Sequence, residues 1–258
     1  MTLSTNDSIA PGLRRAALLL LTALAAAACD TAGSDAHRVV QRAIDVHGGE
    51  HFEQVQVEFR FRDHTFHVHR DRGAFRYERM GVDDEGRATR EVMDNDGTRA
   101  WVGDAPVELD PDARASIETA VNSVVYFAFL PFRLDDPAVI LRDLGEAELE
   151  GRVQRKIEVT FEQEGGGRDW EDRFIYWFDR ERGTLDYLAY LYHTGDGGTR
   201  FRRAVNRRTL GGILIQDYEN YTADPRITDV ADYDRWFEDG LLTLVSEIRL
   251  EDVDVSEP

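Results

Sequence analysis

The earliest periodic segment after residue 30 is an amphipathic helix. Between Ser34 and His47, apolar residues recur three and four positions apart, which is the spacing of one buried helical stripe; they are Ala36, Val39, Val40, Ala43 and Ile44. Ser34 is the expected N-cap, because its hydroxyl can accept a hydrogen bond from an unpaired backbone N–H. Gly48 and Gly49 are expected to end the helix, since glycine adopts the left-handed conformation at little cost.

Strand-like alternation dominates the rest of the chain. Over 54–62 every second residue is apolar, which is the period of a half-buried strand; these residues are Val55, Val57, Phe59 and Phe61. Turn sequences rich in Gly, Asp and Asn then separate further strand-like runs. The runs lie near 64–70, 74–80, 87–93, 98–102, 143–149, 153–163, 170–178, 184–193, 199–206, 212–221 and 242–253. Short turns between them predict a meandering antiparallel sheet.

Two helical segments interrupt the strands. The first covers 113–130 and ends in the bulky sequence Tyr126-Phe127-Ala128-Phe129-Leu130 before Pro131. The second covers 229–238, with Asp229 as a possible cap and three aromatics on one side, Tyr233, Trp236 and Phe237. A sheet of about ten strands must curl or close. The predicted fold class is therefore mainly β (α+β): a large curved antiparallel sheet, or half-open β-barrel, with an N-terminal helix and an inserted mid-chain helix around an apolar cleft.

The first residues have the features of a secretory signal peptide. Arg14 and Arg15 precede an apolar stretch over 16–28, which is shorter than the roughly 20 residues that a bilayer requires. The small residues Ala26, Ala27 and Ala28 then precede Cys29, the only cysteine. This arrangement resembles a bacterial lipobox, in which the cysteine receives a diacylglycerol and becomes the mature N-terminus. The alternative is an ordinary signal peptide whose cleavage site adjoins a cysteine.

Three segments follow from this interpretation of the N-terminus. They are a signal peptide over 1–28, a lipidated Cys29 with a tether over 29–35, and a single domain over 36–258. We expect the protein to be exported and lipid-anchored to a membrane of the cell envelope that faces the periplasm or the exterior.

The chain is strongly acidic, with a formal net charge of −19 and Lys156 as its only lysine. A carboxylate-rich surface with almost no lysine is typical of proteins that work in brine, because it stays hydrated when salt screens charge repulsion. A GC-rich genome would explain the arginine bias but not the acid excess. The acidity argues against nucleic acid as a partner. A single cysteine excludes disulfides within the chain and multi-cysteine metal sites. No cofactor and no metal is expected.

The leading helix ends in His47-Gly48-Gly49-Glu50 and is followed directly by the alternating strand. Together with the lipobox-like N-terminus, this arrangement resembles bacterial outer-membrane-associated lipoproteins of the LolA/LolB-like superfamily. It is most similar to an uncharacterised family from halophilic bacteria related to Bacteroidota, on the stretches 122–128, 161–167 and 197–202. The resemblance implies a curved half-barrel closed by helices that holds lipid or acyl chains in its cavity.

The aromatic end of the mid-chain helix is the main candidate for binding. Tyr126, Phe129 and Phe132 could line the mouth of the half-barrel and face strand aromatics, namely Trp177, Tyr190 and Tyr192. Aromatic walls suit acyl chains, because the contact is apolar and undemanding in geometry. The alternative is that these side chains form the protein's own core.

Two clusters of polar side chains are weaker candidates for a binding site. Arg200, Arg202 and Arg203 could bind an anionic head group, although ion pairs on a carboxylate-rich surface are the simpler interpretation. His67 and His69 share one strand face and could share a metal, but zinc needs three or four ligands and the sequence indicates no third.

These patterns favour an exported, lipid-anchored, non-enzymatic monomer that binds a hydrophobic ligand, such as a lipid or a lipoprotein acyl chain, and stores or transfers it. Motion of the helix over 113–130 would admit the ligand. One alternative is an interaction or scaffold lipoprotein with a self-filled barrel and an unknown protein partner. The other alternative is a metal-dependent hydrolase that uses the region His64–His69.

Overall fold

The structure is a computed structural model that describes residues 35–164, 170–193, 197–224 and 229–256. The predicted signal peptide, Cys29 and the capping Ser34 lie outside the described residues. The α-helices are α1 (35–47), α2 (Pro111–Ala128) and α3 (Tyr233–Glu238), and short 3-10 helices cover Gly49–Glu53 and Val230–Asp232.

Strands make up most of the remaining described chain. They are β1 (Gln54–Phe61), β2 (His64–Asp71), β3 (Ala74–Val82), β4 (Ala88–Asp94), β5 (Gly97–Val102), β6 (Ala105–Val107), β7 (Val139–Leu149), β8 (Arg152–Phe161), β9 (Arg173–Asp179), β10 (Leu185–Tyr192), β11 (Gly198–Leu210), β12 (Ile213–Thr222), β13 (Thr243–Ile248) and β14 (Glu251–Ser256). Each predicted run corresponds to one of these strands, except that 242–253 divides into two and the short β6 was not predicted.

The strands form two seven-stranded antiparallel sheets. The first has the order β14-β1-β2-β3-β4-β5-β6, and the second has the order β13-β12-β11-β10-β9-β8-β7. Most neighbours in each sheet are also neighbours in sequence, which is the meander that the turn sequences predict. Within the described residues neither sheet closes, since β6 and β7 are outer strands. The predicted mainly β fold, with an N-terminal helix and an inserted helix, is confirmed.

The division of the predicted strand 242–253 has its cause at Leu250, which contacts side chains 33 and 42 positions earlier in the chain. The Leu250 N–H donates to Asp217 Oδ1 (3.0 Å), and its carbonyl accepts from Arg208 Nη2 (2.6 Å). Both backbone groups are therefore bonded to side chains of the second sheet and are not available for strand pairing. After this break the chain leaves β12 and pairs with β1 as β14.

Two hydrophobic cores lie on opposite faces of the second sheet. The main core packs this sheet against α1, α2 and the first sheet, and a smaller core lies under the segment that contains α3. Strand β9 shows the arrangement directly: Phe174, Tyr176 and Phe178 belong to the main core, whereas Ile175 and Trp177 belong to the smaller one. Strand β9 is therefore apolar on both faces, as a strand covered on both sides must be.

Helix α1 is fixed to the end of the second sheet at the β9–β10 turn. Arg42 donates to the carbonyls of Arg180 (2.9 Å) and Glu181. His47, the last helical residue, is fully buried, and its Nε2 accepts the N–H of Leu185 at 3.1 Å. Gly48 then has φ 134°, and a Cβ there would lie 2.9 Å from the Gly212 carbonyl oxygen. Glycine is required at this close approach of two backbones.

The only lysine joins α3 to the second sheet. Lys156 Nζ lies 2.8 Å from Asp234 Oδ2 and 5.5 Å from the centre of the Trp177 ring, and both charged side chains are largely buried. Asp234 also accepts the Trp177 indole N–H at 3.3 Å. A buried charge needs a partner, and here one carboxylate serves both the ammonium group and the indole.

Candidate ligand-binding cleft

A cleft of about 850 Å³ lies between the C-terminal half of α2 and the main-core face of the second sheet. Its volume falls within the range of about 300–1,000 Å³ for small-molecule sites. The side chains that line it come from α2, from β7 to β13 with the segments beside them, and from the first sheet at β4 and after β1. They include Met93, Thr119, Asn122, Ser123, Tyr126, Phe127, Ala138, Val139, Phe161, Phe174, Tyr190, Tyr192, Asn220 and Val245.

Helix α2 is positioned by its N-terminal half. The Asp110 side chain caps the helix by accepting the N–H of Ala113 (2.8 Å), and Pro111 occupies the first turn, where it needs no hydrogen-bond acceptor. Two polar contacts then attach the helix to β5: Arg114 donates to the Thr98 carbonyl (2.7 Å), and Thr98 Oγ1 donates to a Glu118 oxygen (2.8 Å). The C-terminal half can therefore cover the second sheet while the helix remains bound to the first.

Aromatic rings form the apolar wall of the cleft. Phe127 of α2 lies 5.3 Å from Tyr190 and 6.3 Å from Phe174, and Phe174 lies 5.4 Å from Tyr190 (ring centroids). Phe161 meets Phe174 edge to face at 5.9 Å. These separations are those of favourable aromatic pairs. The rings leave a rigid apolar surface with few hydrogen-bond demands.

Two tyrosine hydroxyls share one hydrogen bond at the base of this wall. The hydroxyls of Tyr126 and Tyr176 lie 3.0 Å apart. Burial raises the pKa of Tyr126 to about 12 and the pKa of Tyr176 well above its usual value of 10.0. Both phenols therefore stay neutral near neutral pH, and the wall adds no negative charge to the cleft.

Four arginines also line the cleft, which is unexpected beside so many apolar groups; they are Arg62, Arg133, Arg200 and Arg202. Arg133 forms an ion pair with Asp136 at 2.6 Å. Among the described residues, the other three have no carboxylate within ion-pair distance. Most arginines elsewhere in the described chain do have a carboxylate partner. The cleft therefore differs from the rest of the described chain, because it carries unneutralised positive charge on a molecule whose net charge is −19.

A second, smaller cavity of about 250 Å³ adjoins the cleft. It is lined by the other side of the α2 C-terminus and by β11 to β13. The two cavities share five lining residues, Arg62, Ser123, Phe127, Arg202 and Asn220. These five residues mark the junction of the two spaces.

Comparison with known protein families assigns the chain to one of them. The sequence profile described as "Family of unknown function (DUF6503)" matches residues 14–251. The chain belongs to the DUF6503 family. No curated protein matches this DUF6503 chain.

Solved structures that are similar to this DUF6503 chain have low sequence identity. A LolA superfamily protein from Nitrosomonas europaea matches with a TM-score of 0.45 and 10% identity, over 86% of this chain and 91% of that one. A DUF1329 family protein from Desulfovibrio piger matches with 0.45 and 9%, over 87% and 91%. A domain from Vibrio parahaemolyticus named for outer membrane lipoprotein sorting matches with 0.46 and 9%, over 87% and 93%.

Three of the six predicted binding residues line the cleft, namely Tyr126, Tyr190 and Tyr192. Phe129 and Phe132 instead lie in the main core. Phe132 stacks on Phe52 at 4.2 Å, and Phe129 lies 5.0 Å from the same ring. For these two side chains the structure matches the alternative interpretation, a core position. They hold the end of α2 against the 3-10 helix that follows α1.

The placement of Trp177 in the cleft is wrong. Trp177 is fully buried in the smaller core, on the opposite face of the second sheet. Side chains alternate between the two faces of a strand, and Phe174 and Tyr176 take the cleft-facing positions of β9. The same alternation could have identified Phe174, because its partner in β10 is Tyr190.

Alternation also divides the three arginines that the sequence analysis singled out, all of which lie in β11. Arg200 and Arg202 face the cleft, whereas Arg203 lies on the other face and pairs with Glu150 (2.9 Å) and Glu219 (3.2 Å). The prediction of ion pairs therefore holds for Arg203, and the structure gives no carboxylate partner to the other two among its described residues.

The histidines of β2 do not converge on a metal site in the described chain. His67 contacts Glu58 at 2.9 Å across the β1–β2 pair, and both side chains are exposed. Within the described ranges no three His, Cys, Asp or Glu side chains come together as metal ligands. The described ranges also contain no helix that is both long and apolar enough to cross a bilayer.

Proposed function

We propose that this DUF6503 protein is an exported, lipid-anchored envelope protein that binds the hydrophobic chain of a lipid or of a lipoprotein in the cleft under α2. The proposed anchor is a diacylglycerol on Cys29, and the proposed role is storage or transfer of the chain without chemical conversion. The protein would act as a monomer in which the anchor provides the membrane attachment.

The observation that carries this proposal is the cleft itself. A barrel filled by its own side chains would leave no space of about 850 Å³ under α2. The walls combine aromatic rings with aliphatic groups from Ala138 and Val139. Such walls stabilise an alkyl chain by removing it from water, at about 0.8 kcal/mol per buried methylene. The contact requires no precise geometry, which suits a flexible chain.

The first test is native mass spectrometry of the purified protein in high salt, followed by organic extraction of whatever is bound. We expect a co-purifying amphiphile of defined mass. A protein that carries no lipid and takes up no hexadecanoate would contradict the proposal and would favour the interaction protein with a self-filled barrel.

A variant pair locates the site. Ser123 is an exposed α2 residue that lines both cavities, and Ser116 is an exposed serine two turns earlier on the same helix that lines neither. We expect Ser123→Trp to weaken hexadecanoate binding about 100-fold, because an indole that excludes three or four methylenes removes about 3 kcal/mol. Ser116→Trp is the matched control and should bind as the unmodified protein does. Equal affinity in both variants would place the ligand elsewhere.

A further inference from the structure

Arg202 is a buried charge that has no carboxylate partner among the residues that the structure describes. It lies near the middle of β11, opposite Leu188 of β10 and Asn220 of β12. Its side chain is at the junction of the two cavities, and the residue is only 9% exposed. Within the described part of the chain, its one hydrogen bond runs from Nη2 to the Tyr190 hydroxyl at 2.8 Å, and its buried Nε–H has no partner.

This arrangement is energetically unusual. A guanidinium group carries five N–H donors and keeps its positive charge at any relevant pH. Burying such a charge costs several kcal/mol unless an anion or a full set of hydrogen bonds compensates it. The rings of Phe127 and Tyr190, 4.1 and 5.2 Å from the Arg202 Cζ atom, supply part of this compensation through cation–π contact. They leave the buried Nε–H without a hydrogen-bond partner among the described residues.

A second unsatisfied atom lies directly across the strand pair. Asn220 is the β12 residue opposite Arg202, and it lines both cavities. Its amide donates to Ser246 Oγ at 3.0 Å, but its Oδ1 is buried and has no partner. Native proteins leave few buried polar groups unpaired, and such groups call for a partner. Arg202 and Asn220 each contribute one such atom, and both residues line both cavities.

Further charges around this junction have the same sign. Arg62 lines both cavities and Arg200 lines the cleft, and neither has a carboxylate partner among the described residues. Arg200 instead donates to the Thr199 carbonyl (2.7 Å) and lies 5.6 Å from the Tyr192 ring. The acidic residues of the cleft have other contacts: Asp136 pairs with Arg133, Glu118 accepts from Thr98, and Asp172 lies 3.1 Å from His193 Nδ1.

We propose that Arg202 is the head-group site of the cleft and that the ligand is a single-chain anionic amphiphile. Its carboxylate or phosphate would accept hydrogen bonds from the Arg202 guanidinium at the junction, and its alkyl chain would follow the aromatic wall of the larger cleft. Arg62 and Arg200 add to the positive potential around the head group. This inference rests on the proposed function, since it names the chemical class of the ligand that the same cleft would bind.

The test compares probes that differ only in the head group. Hexadecanoate, hexadecyl phosphate and hexadecan-1-ol have the same chain, and their affinities for the purified protein are measured by equilibrium dialysis. We expect the two anions to bind about 10- to 100-fold more tightly than the alcohol, which is the usual effect of hydrogen bonds to a charged group. Arg202→Gln should remove this preference by weakening the binding of the two anions far more than that of hexadecan-1-ol.

Two further variants separate a recognition role from a structural one. Arg203→Gln makes the same charge change on the opposite face of the same strand and should keep the preference. Arg202→Lys keeps the positive charge but loses the planar guanidinium group, which can donate two parallel hydrogen bonds. This variant should keep part of the preference. A thermal unfolding curve for each variant shows that the comparison is made between folded proteins.

Several outcomes would overturn the inference. The unmodified protein could bind alcohol and anions equally, or Arg202→Gln could weaken all three probes alike, which would make Arg202 a structural residue. Inorganic phosphate that competes as well as hexadecyl phosphate would indicate a free-anion site without a chain. Equal affinities that remain sensitive to Ser123→Trp would refute the head-group site but keep the proposed function. If no probe binds, the proposed function itself fails.

Discussion

His47 makes the stability of the protein depend on pH in a predictable direction. Its imidazole is fully buried at the end of α1, and burial, followed by the nearby charge of Arg207, lowers its pKa from 6.5 to about 3. In the unfolded chain the same group titrates near 6.5. Between these two pKa values the unfolded state binds a proton that the folded state does not. Linkage then requires the free energy of unfolding to fall as the pH falls below about 6.5.

The size of the effect follows from the two pKa values. At pH 5 the pH lies about 1.5 units below the pKa of the unfolded state. Each unit stabilises the protonated unfolded state by about 1.4 kcal/mol. The expected loss attributable to His47 is therefore about 2 kcal/mol relative to neutral pH. The loss should reach its full extent as the pH approaches about 3, where the folded state also begins to bind the proton.

The assay is urea unfolding of the unmodified protein and of His47→Gln at a series of pH values from 7 to 4. Glutamine offers an acceptor to the Leu185 N–H, the group that His47 Nε2 now binds, and it does not titrate. The many carboxylates titrate equally in both proteins, so the difference between the two curves isolates His47. We expect the free energy of unfolding of His47→Gln, relative to that of the unmodified protein, to rise by about 2 kcal/mol between pH 7 and pH 5. Parallel curves would refute the reasoning.

Three other predictions concern the core, the smaller core and the solvent. Phe129→Ala should lower the free energy of unfolding by about 3–5 kcal/mol in a urea titration, because Phe129 fills the main core beside Phe52; a loss below 1 kcal/mol would contradict its core position. Trp177→Phe removes the hydrogen bond to Asp234 and should cost about 1 kcal/mol. The same variant should leave hexadecanoate affinity unchanged in dialysis, and a weakened affinity would contradict its place on the opposite face. The thermal midpoint should rise from low to molar salt, because screening relieves repulsion at a net charge of −19; a flat or falling midpoint would argue against salt adaptation.

Local patterns predicted most of the secondary structure because the governing interactions are themselves local. The alternation over 54–62 corresponds to β1, and the helical spacing after residue 34 corresponds to α1. The start of α2 lies two residues earlier than the apolar spacing suggested. Asp110 followed by Pro111 is the usual cap and first-turn pair, and it was the signal for the true start.

The candidate site was less predictable because alternation gives two sets of side chains without saying what covers each set. Tyr190 and Tyr192 face the cleft as predicted, but Trp177 faces the smaller core because a segment about 55 residues later, around Tyr233, covers that side of the sheet. The same ambiguity applied to the arginines of β11. Helix α2 places Phe127 beside the buried Arg202, and the neighbouring strand β12 places Glu219 beside Arg203.

The sequence by itself determined most of the strands and their order, the helices and the acidic character of the chain, because periodicity and composition depend on near neighbours and on totals. The tertiary structure alone decided that the strands separate into two sheets, that the last predicted strand breaks at Leu250, and that a cleft remains open under α2. These outcomes depend on contacts between residues far apart in the chain, such as Leu250 with Asp217. Only the assembled packing brings such partners together.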